Sequence, residues 1–251
     1  MSSAITRLRH GLRDVPLARA LTVRLRTAGW RPSGAADGIV FLFYHDMRAS
    51  ERHAFAEQLH RLRDFGDLVG VEDALALLAD ERIDGRHICL TFDDGYRGAY
   101  HYAAPILAAR GVPAAFFVVP GWMDEGRPGI IGWDEARYLA VSGIEVGSHT
   151  LTHRRLAELD AAEAAQELAA SRARIEAELG RPCRYFACPW GQPGADYRAE
   201  REPALARAAG YQCFLTTLPS RASAGADPWS LPRVRMEPGW GAAELRYAFS
   251  R

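Results

Sequence analysis

The sequence predicts an α/β fold in which a mainly parallel sheet closes into a barrel. Three observations carry this. Short apolar runs alternate with helical patterns along most of the chain, and the connections are short enough to favour right-handed crossovers. The 251 residues, 48% of them hydrophobic, also suffice for one full core of the size at which single α/β barrels occur. Strands are predicted over residues 39–44, 68–71, 87–92, 113–119, 144–148, 184–188, 212–216 and 232–236.

Each element has a local reason. Ile39-Val40-Phe41-Leu42-Phe43-Tyr44 is an unbroken apolar run that reads as a buried strand. Phe55, Leu59 and Leu62 recur at helical spacing. Residues 121–132, rich in Gly and Pro, form the one long irregular connection. Residues 160–179 are rich in Ala, Glu and Arg, and Asp160 and Glu163 are spaced as a capping pair, so a long scaffold helix with a solvated charged face is expected.

Composition narrows the function. The formal net charge is +0, which lacks the basic footprint of a nucleic-acid binder. Cys89, Cys183, Cys188 and Cys213 have no Cys-x-x-Cys spacing, and three lie in predicted strands, so reduced core thiols are expected. No run reaches the ~18 apolar residues of a membrane span and no signal-peptide core is evident, which predicts a cytoplasmic protein. Residues 1–37 read as a basic extension preceding a catalytic domain over 38–251. Residues 1–31 hold seven arginines against a single Asp14, and Leu8 and Leu12, then Leu17, Leu21 and Leu25, keep four-residue spacing on either side of Pro16. A peripheral anchor at the inner face of the membrane fits this pattern. A solvated helix packed on the domain and a removed targeting segment are the alternatives.

Two strand ends carry the chemistry. Leu90-Thr91-Phe92-Asp93-Asp94-Gly95 stops on adjacent carboxylates, and Ile144-Glu145-Val146-Gly147-Ser148-His149-Thr150-Leu151-Thr152-His153 stops on two histidines four residues apart. Asp-Asp-Gly alone is commonly a turn, and His-x-x-x-His arises by chance on many helices. Together, at the carboxyl ends of predicted strands, they form a carboxylate and two imidazoles able to hold a divalent ion with an open position for water, and they leave one carboxylate over as a base.

These residues resemble the motifs of the polysaccharide deacetylase family, the NodB homology domain of carbohydrate esterase family 4, over roughly residues 38–251. Thr91-Phe92-Asp93-Asp94-Gly95 is similar to its first motif, which implies Asp93 as base and Asp94 as metal ligand. His149-Thr150-Leu151-Thr152-His153 is similar to the second, implying His149 and His153 as ligands and Thr150 as a loop brace. The resemblance implies a distorted (β/α)7-type barrel and a divalent cofactor, zinc first, with Co, Ni or Mn as alternatives. The third motif departs from the common form. In Phe186-Ala187-Cys188-Pro189-Trp190-Gly191, Ala187 stands where the family often has an arginine that orients the base, and the family's C-terminal Leu-x-His is absent. The early Tyr44-His45 and the late Leu231-Pro232-Arg233 match a branch that shares this version.

Arg233 is therefore expected to replace the missing arginine. His45, which follows the first strand, is expected to serve as general acid, since no histidine follows His153. The resemblance implies the Trp190 backbone N–H as an oxyanion donor. Trp190, Trp122 and Trp133 are candidate stacking surfaces for sugar rings, with core capping as the alternative reading, and Tyr44 and Pro189 are counted with them as substrate-binding. The expected reaction is removal of an N-acetyl group from an N-acetylated saccharide, free, lipid-linked or nucleotide-linked. An amidohydrolase acting on a non-sugar amide and a catalytically silent carbohydrate-binding domain are the alternatives.

Overall fold

The computed structural model describes residues 37–241 together with Ala243 and Arg246. The basic extension expected over residues 1–37 lies, but for Asp37, outside the described residues.

Eight strands appear in the predicted places. β1 is Gly38–Tyr44, β2 Asp67–Val69, β3 Arg86–Phe92, β4 Ala114–Val118, β5 Glu145–Ser148, β6 Tyr185–Ala187, β7 Cys213–Leu215 and β8 Arg233–Arg235. All named strand pairs are parallel, in the order β7-β6-β5-β4-β3-β1-β8. A parallel bridge between Leu215 and Leu231 brings β7 against the segment leading into β8 and nearly closes the ring. Seven strands thus form the barrel. β2 is the eighth, and it shares one edge of β3 with β4: β2 covers His87 to Cys89 and β4 covers Leu90 to Phe92.

The sequence of β1 explains its central place. All seven residues, Gly-Ile-Val-Phe-Leu-Phe-Tyr, are buried, as a strand covered on both faces requires. Alternation divides its side chains. Val40, Leu42 and Tyr44 belong to a core between the barrel and its helices, while Ile39 and Phe41 join Cys89, Ala115, Phe117, Tyr185, Ala187, Cys213 and Leu215 in the barrel interior. Gly147 on β5 has to be glycine, because a Cβ there would strike the Phe117 ring and the Tyr185 carbonyl.

The helices are α1 Arg52–Leu62, α2 Val71–Ala79, α3 Arg97–Tyr102, α4 Ala104–Ala109, α5 Pro120–Asp124, α6 Trp133–Val141, α7 Ala161–Leu179 and α8 Glu202–Ala208. Phe55, Leu59 and Leu62 are the buried stripe of α1. Asp160 caps α7 as predicted, accepting from the Glu163 N–H at 2.8 Å, while Glu163 Oε2 accepts from the Asp160 N–H at 3.1 Å. Gly180 ends the helix in the left-handed conformation.

Three expectations need correction. Val71 starts α2 instead of ending β2, and α5 occupies part of the connection read as irregular. The charged face of α7 is not wholly solvated, since Glu167 is buried. The four cysteines are free and buried, as expected, and no helix among the described residues is long and apolar enough to cross a membrane.

Candidate active site

The site is assembled at the carboxyl ends of β1, β3 and β5, with β8 reaching it from within the barrel. Backbone pairing runs one residue past the strands: the Asp93 N–H donates to the Tyr44 carbonyl and the His149 N–H to the Val118 carbonyl, each at 2.9 Å. These bonds fix Asp93 beside His45 and carry His149 off the end of β5. Four residues other than glycine have positive φ among the described residues, namely Asp94 (70°), Thr150 (66°), His153 (61°) and Trp190 (54°). All four belong to the three motifs. Strain of this kind persists where surrounding contacts over-determine the backbone.

Asp93 and Arg233 form a fork. Arg233 Nη1 donates to Asp93 Oδ1 at 2.7 Å and Nη2 to Oδ2 at 2.8 Å, while Nη1 also reaches Thr91 Oγ1 at 3.1 Å and Nε donates to the Thr216 carbonyl at 2.9 Å. The guanidinium is 0% exposed and lies 4.8 Å from the Phe43 ring. Burial pushes the Asp93 carboxyl up, but Arg233, with His149 and His45, outweighs burial and holds it below the ordinary carboxylate range. β8 thus brings a guanidinium onto Asp93, while motif three has Ala187.

Asp94 faces the two histidines. Its Oδ1 lies 3.2 Å from His153 Nε2 and 3.4 Å from His149 Nε2, and no hydrogen-bond donor satisfies this buried oxygen. His149 Nδ1 donates to the Ala187 carbonyl at 2.7 Å, because a carbonyl can only accept, and this leaves the Nε2 lone pair turned to the centre. Burial pushes His149 down, yet Asp93 and Asp94 outweigh it and leave the imidazole raised. The two carboxylates thus favour positive charge at the centre. Among the described residues this trio is the one group with the spacing of a metal site, its ligand atoms lying within 4.8 Å of one another. Ligands about 2.0–2.2 Å from a tetrahedral ion stand roughly 3.3–3.6 Å apart, which matches the separations of Asp94 Oδ1 from the two imidazoles. The residues present fit a divalent ion.

The loop carrying the histidines is braced twice. Thr150 Oγ1 accepts from the His153 N–H at 2.9 Å, and buried Glu167 on α7 takes the Thr152 N–H at 2.9 Å and its hydroxyl at 2.5 Å. Sequence reasoning missed Glu167 by assigning the charge of α7 to solvent. The signal was present: Glu167 falls on the helical stripe Ala164, Glu167, Leu168, Ser171, Ile175, otherwise uncharged.

His45 is partly buried, with its ring 5.6 Å from Phe43. Burial pushes its imidazole below the ordinary value, and the adjacent Asp93 and Asp94 carboxylates offset this only in part.

The aromatic candidates separate. Trp190 is 44% exposed, and its ring centroid lies 4.5 Å from that of His153. Its turn is pinned on both sides, with the Gly191 N–H on the Pro189 carbonyl and the Thr217 hydroxyl on its own carbonyl. Trp122 lies 4.7 Å from His153, and the Arg127 guanidinium lies 4.4 Å from the same indole. Trp133 is engaged elsewhere: its indole N–H donates to Asp124 at 2.8 Å and Arg174 lies over its ring. Tyr44 is not a substrate contact. It is 0% exposed, stacks on Phe92 and donates to Gln58 Oε1 at 2.9 Å, because strand alternation turns it outward toward α1. Pro189 is buried too.

A parallel seven-strand barrel with polar residues gathered at its strand ends defines an α/β-barrel protein with an enzyme-like site. The model of the family described as polysaccharide deacetylase matches residues 80–214, and the chain belongs to that family. The match spans Asp93, Asp94, His149, His153 and Trp190 and leaves His45 and Arg233 outside it. Among curated proteins, YxkH of Bacillus subtilis (strain 168), a protein assigned to the polysaccharide deacetylases, is 27% identical over 220 residues, covering 85% of this chain and 76% of YxkH. IcaB from Ammonifex degensii has a solved structure that matches with TM-score 0.73 and 27% identity over 86% of this chain and 97% of its own. The Streptococcus pyogenes deacetylase PplD, solved with acetate, has the same fold at TM-score 0.73 and 22% identity, over 84% and 98% of the two chains.

Proposed function

We propose that the protein removes an N-acetyl group from an N-acetylated saccharide by metal-dependent amide hydrolysis. The observation that carries this reading is the pairing of a buried, arginine-held carboxylate, Asp93, with an adjacent Asp94–His149–His153 trio whose central oxygen has no hydrogen-bond donor. A domain that only binds sugar has no use for an oriented, ionised base beside a ligand set.

Asp94, His149 and His153 would hold the ion. Zinc is the first choice and Co, Ni or Mn suit the same donors. A divalent ion bound there supplies Lewis acidity and lowers the pKa of water toward ~7. Asp93, kept ionised by Arg233, accepts a proton from the attacking water. The Trp190 N–H, held in its pinned turn, donates to the oxygen that gains charge in the transition state. His45, neutral at rest because burial lowers its imidazole, takes up the proton that Asp93 accepts from water and passes it to the leaving amine. Trp190 offers its exposed ring to the sugar.

The test is acetate release from free, oligomeric, nucleotide-linked and lipid-linked N-acetylhexosamines, and from a non-sugar acetamide, with metal-replete and chelator-treated protein. Metal-dependent acetate from a sugar supports the reading. No acetate from any sugar, or release that chelation leaves unchanged, overturns it.

A further inference from the structure

The ring of His153 lies between two indoles, and each indole carries a guanidinium. Arg127 lies 4.4 Å from the Trp122 ring, Trp122 4.7 Å from His153, His153 4.5 Å from Trp190, and Arg155 4.6 Å from the Trp190 ring. The two ends of this row are similar in shape and opposite in electrostatic state. Arg155 is neutralised: its Nε lies 3.0 Å from Oδ1 of Asp196, whose carboxylate is almost wholly buried and also accepts from the Gln192 N–H, and Glu158 stands 4.0 Å away. Arg235, the other guanidinium acting on the His45 side, is paired with Glu237 at 2.8 Å. Arg127 is exposed and has no carboxylate partner among the described residues. Asp124, the acidic residue of α5, is already held by Arg174 and Trp133.

Arg127 is nevertheless fixed in place. Its N–H donates to the Trp122 carbonyl at 3.0 Å and its carbonyl accepts from the Ile130 N–H at 3.1 Å, so its backbone is tied to the helix that carries Trp122. With His153 and Arg127 both against its ring, Trp122 presents a substrate with a guanidinium laid over an indole instead of a bare aromatic face. A guanidinium so placed keeps its N–H donors directed outward, and its natural partner is a carboxylate or phosphate oxygen pair.

We propose that Arg127 is a specificity-determining residue that binds an anionic substituent of the saccharide, a carboxylate or a phosphate, on the Trp122 side of the centre. This rests on the deacetylase reading for its substrate class and adds the charge of the group next to the reacting acetamide. An anionic sugar gains a charge-assisted contact with Arg127 that a neutral one lacks. Because Arg127 is exposed, the gain is modest and screened by salt.

The experiment compares three matched acetylated oligosaccharides, one neutral, one bearing a carboxylate and one bearing a phosphate on the neighbouring unit, with metal-loaded wild type, Arg127→Gln and Arg127→Lys. Steady-state kinetics and equilibrium binding are both measured. The wild type is expected to favour at least one anionic substrate over the neutral one by about tenfold in kcat/KM, carried by KM, with the preference shrinking as salt rises. Arg127→Gln should abolish that ratio and Arg127→Lys retain part of it. Whichever anionic arm shows the effect identifies the group. Equal kcat/KM for all three in the wild type, or a ratio that Arg127→Gln leaves intact, overturns the proposal. If no substrate is turned over, the deacetylase reading fails by itself, and the binding data still decide the role of Arg127: tighter anionic binding lost in Arg127→Gln supports it, and equal binding refutes it.

Discussion

Replacing Arg233 by Met tests the central electrostatic arrangement. The substitution removes both bonds to Asp93, 2.7 and 2.8 Å long, in a place where the two side chains are 0% and 3% exposed. It also strips the Thr216 carbonyl of its guanidinium donor. Breaking a buried pair from one side leaves an uncompensated charge and costs about 3–5 kcal/mol, a large part of the ~5–15 kcal/mol that stabilises a domain. The sign with pH follows. In the wild type Asp93 titrates below the ordinary carboxylate value, so its stabilising contribution is complete above that ordinary value and is lost as pH falls through the depressed one. In Arg233→Met only His149 and His45 still oppose burial and the carboxyl rises, so the penalty is greatest at neutral pH and shrinks as acid protonates Asp93. Urea unfolding of wild type, Arg233→Met, Asp93→Asn and the double variant, across pH 5 to 8 with chelator present, isolates the pair. The double variant should recover several kcal/mol relative to the sum of the single ones. Additive losses, or a penalty for Arg233→Met that does not change with pH, would refute the argument that Arg233 holds Asp93 ionised.

Four further outcomes are expected. Alanine at Asp94, His149 or His153 should remove bound metal and turnover together, while Asp93→Asn keeps the metal and loses turnover; metal analysis of the purified variants checks this, and full occupancy without either histidine would sink the ligand assignment. His45→Ala should bind metal normally and lose roughly 10²- to 10⁴-fold in turnover, so near wild-type turnover rejects it as the proton carrier. Glu167→Ala frees the Thr152 anchor and should weaken metal affinity about 10- to 100-fold in a competitive chelator titration, with unchanged affinity showing that the clamp does not position His153. Tyr44→Phe orphans buried Gln58 Oε1 and should cost about 1–3 kcal/mol in unfolding with KM unaltered, whereas a changed KM would restore Tyr44 as a substrate contact.

How far the sequence was legible can be argued from particular residues. β1 could be read because a seven-residue strand buried throughout has to be apolar, β3 because its buried stretch Ile88–Phe92 is apolar but for Thr91, and strand ends are where an open parallel sheet presents side chains. Asp93, Asp94, His149 and His153 were legible for the same reason: each pair is local, so spacing alone brings its members together. The capping pair of α7 is local as well. Tyr44 was misread although the needed rule is local, because its neighbour His45 faces the site and the strand period of two puts adjacent residues on opposite faces. The outward face of Tyr44 became evident only through Gln58 and Phe92.

What the sequence by itself determined was the class of fold and two strand-end pairs, Asp93 with Asp94 and His149 with His153, since these follow from periodicity and from residues a few positions apart. Tertiary structure decided the rest. The contact of Arg233 with Asp93 spans 140 residues and exists because β8 pairs with β1, whose other edge pairs with β3. The clamp of Glu167 on Thr152 and the row from Arg127 through Trp122, His153 and Trp190 to Arg155 likewise join segments that meet only when the barrel is wound. Charge compensation and ring contact act through space over a few ångströms, so the sequence names the groups and the fold alone sets which of them lie within reach.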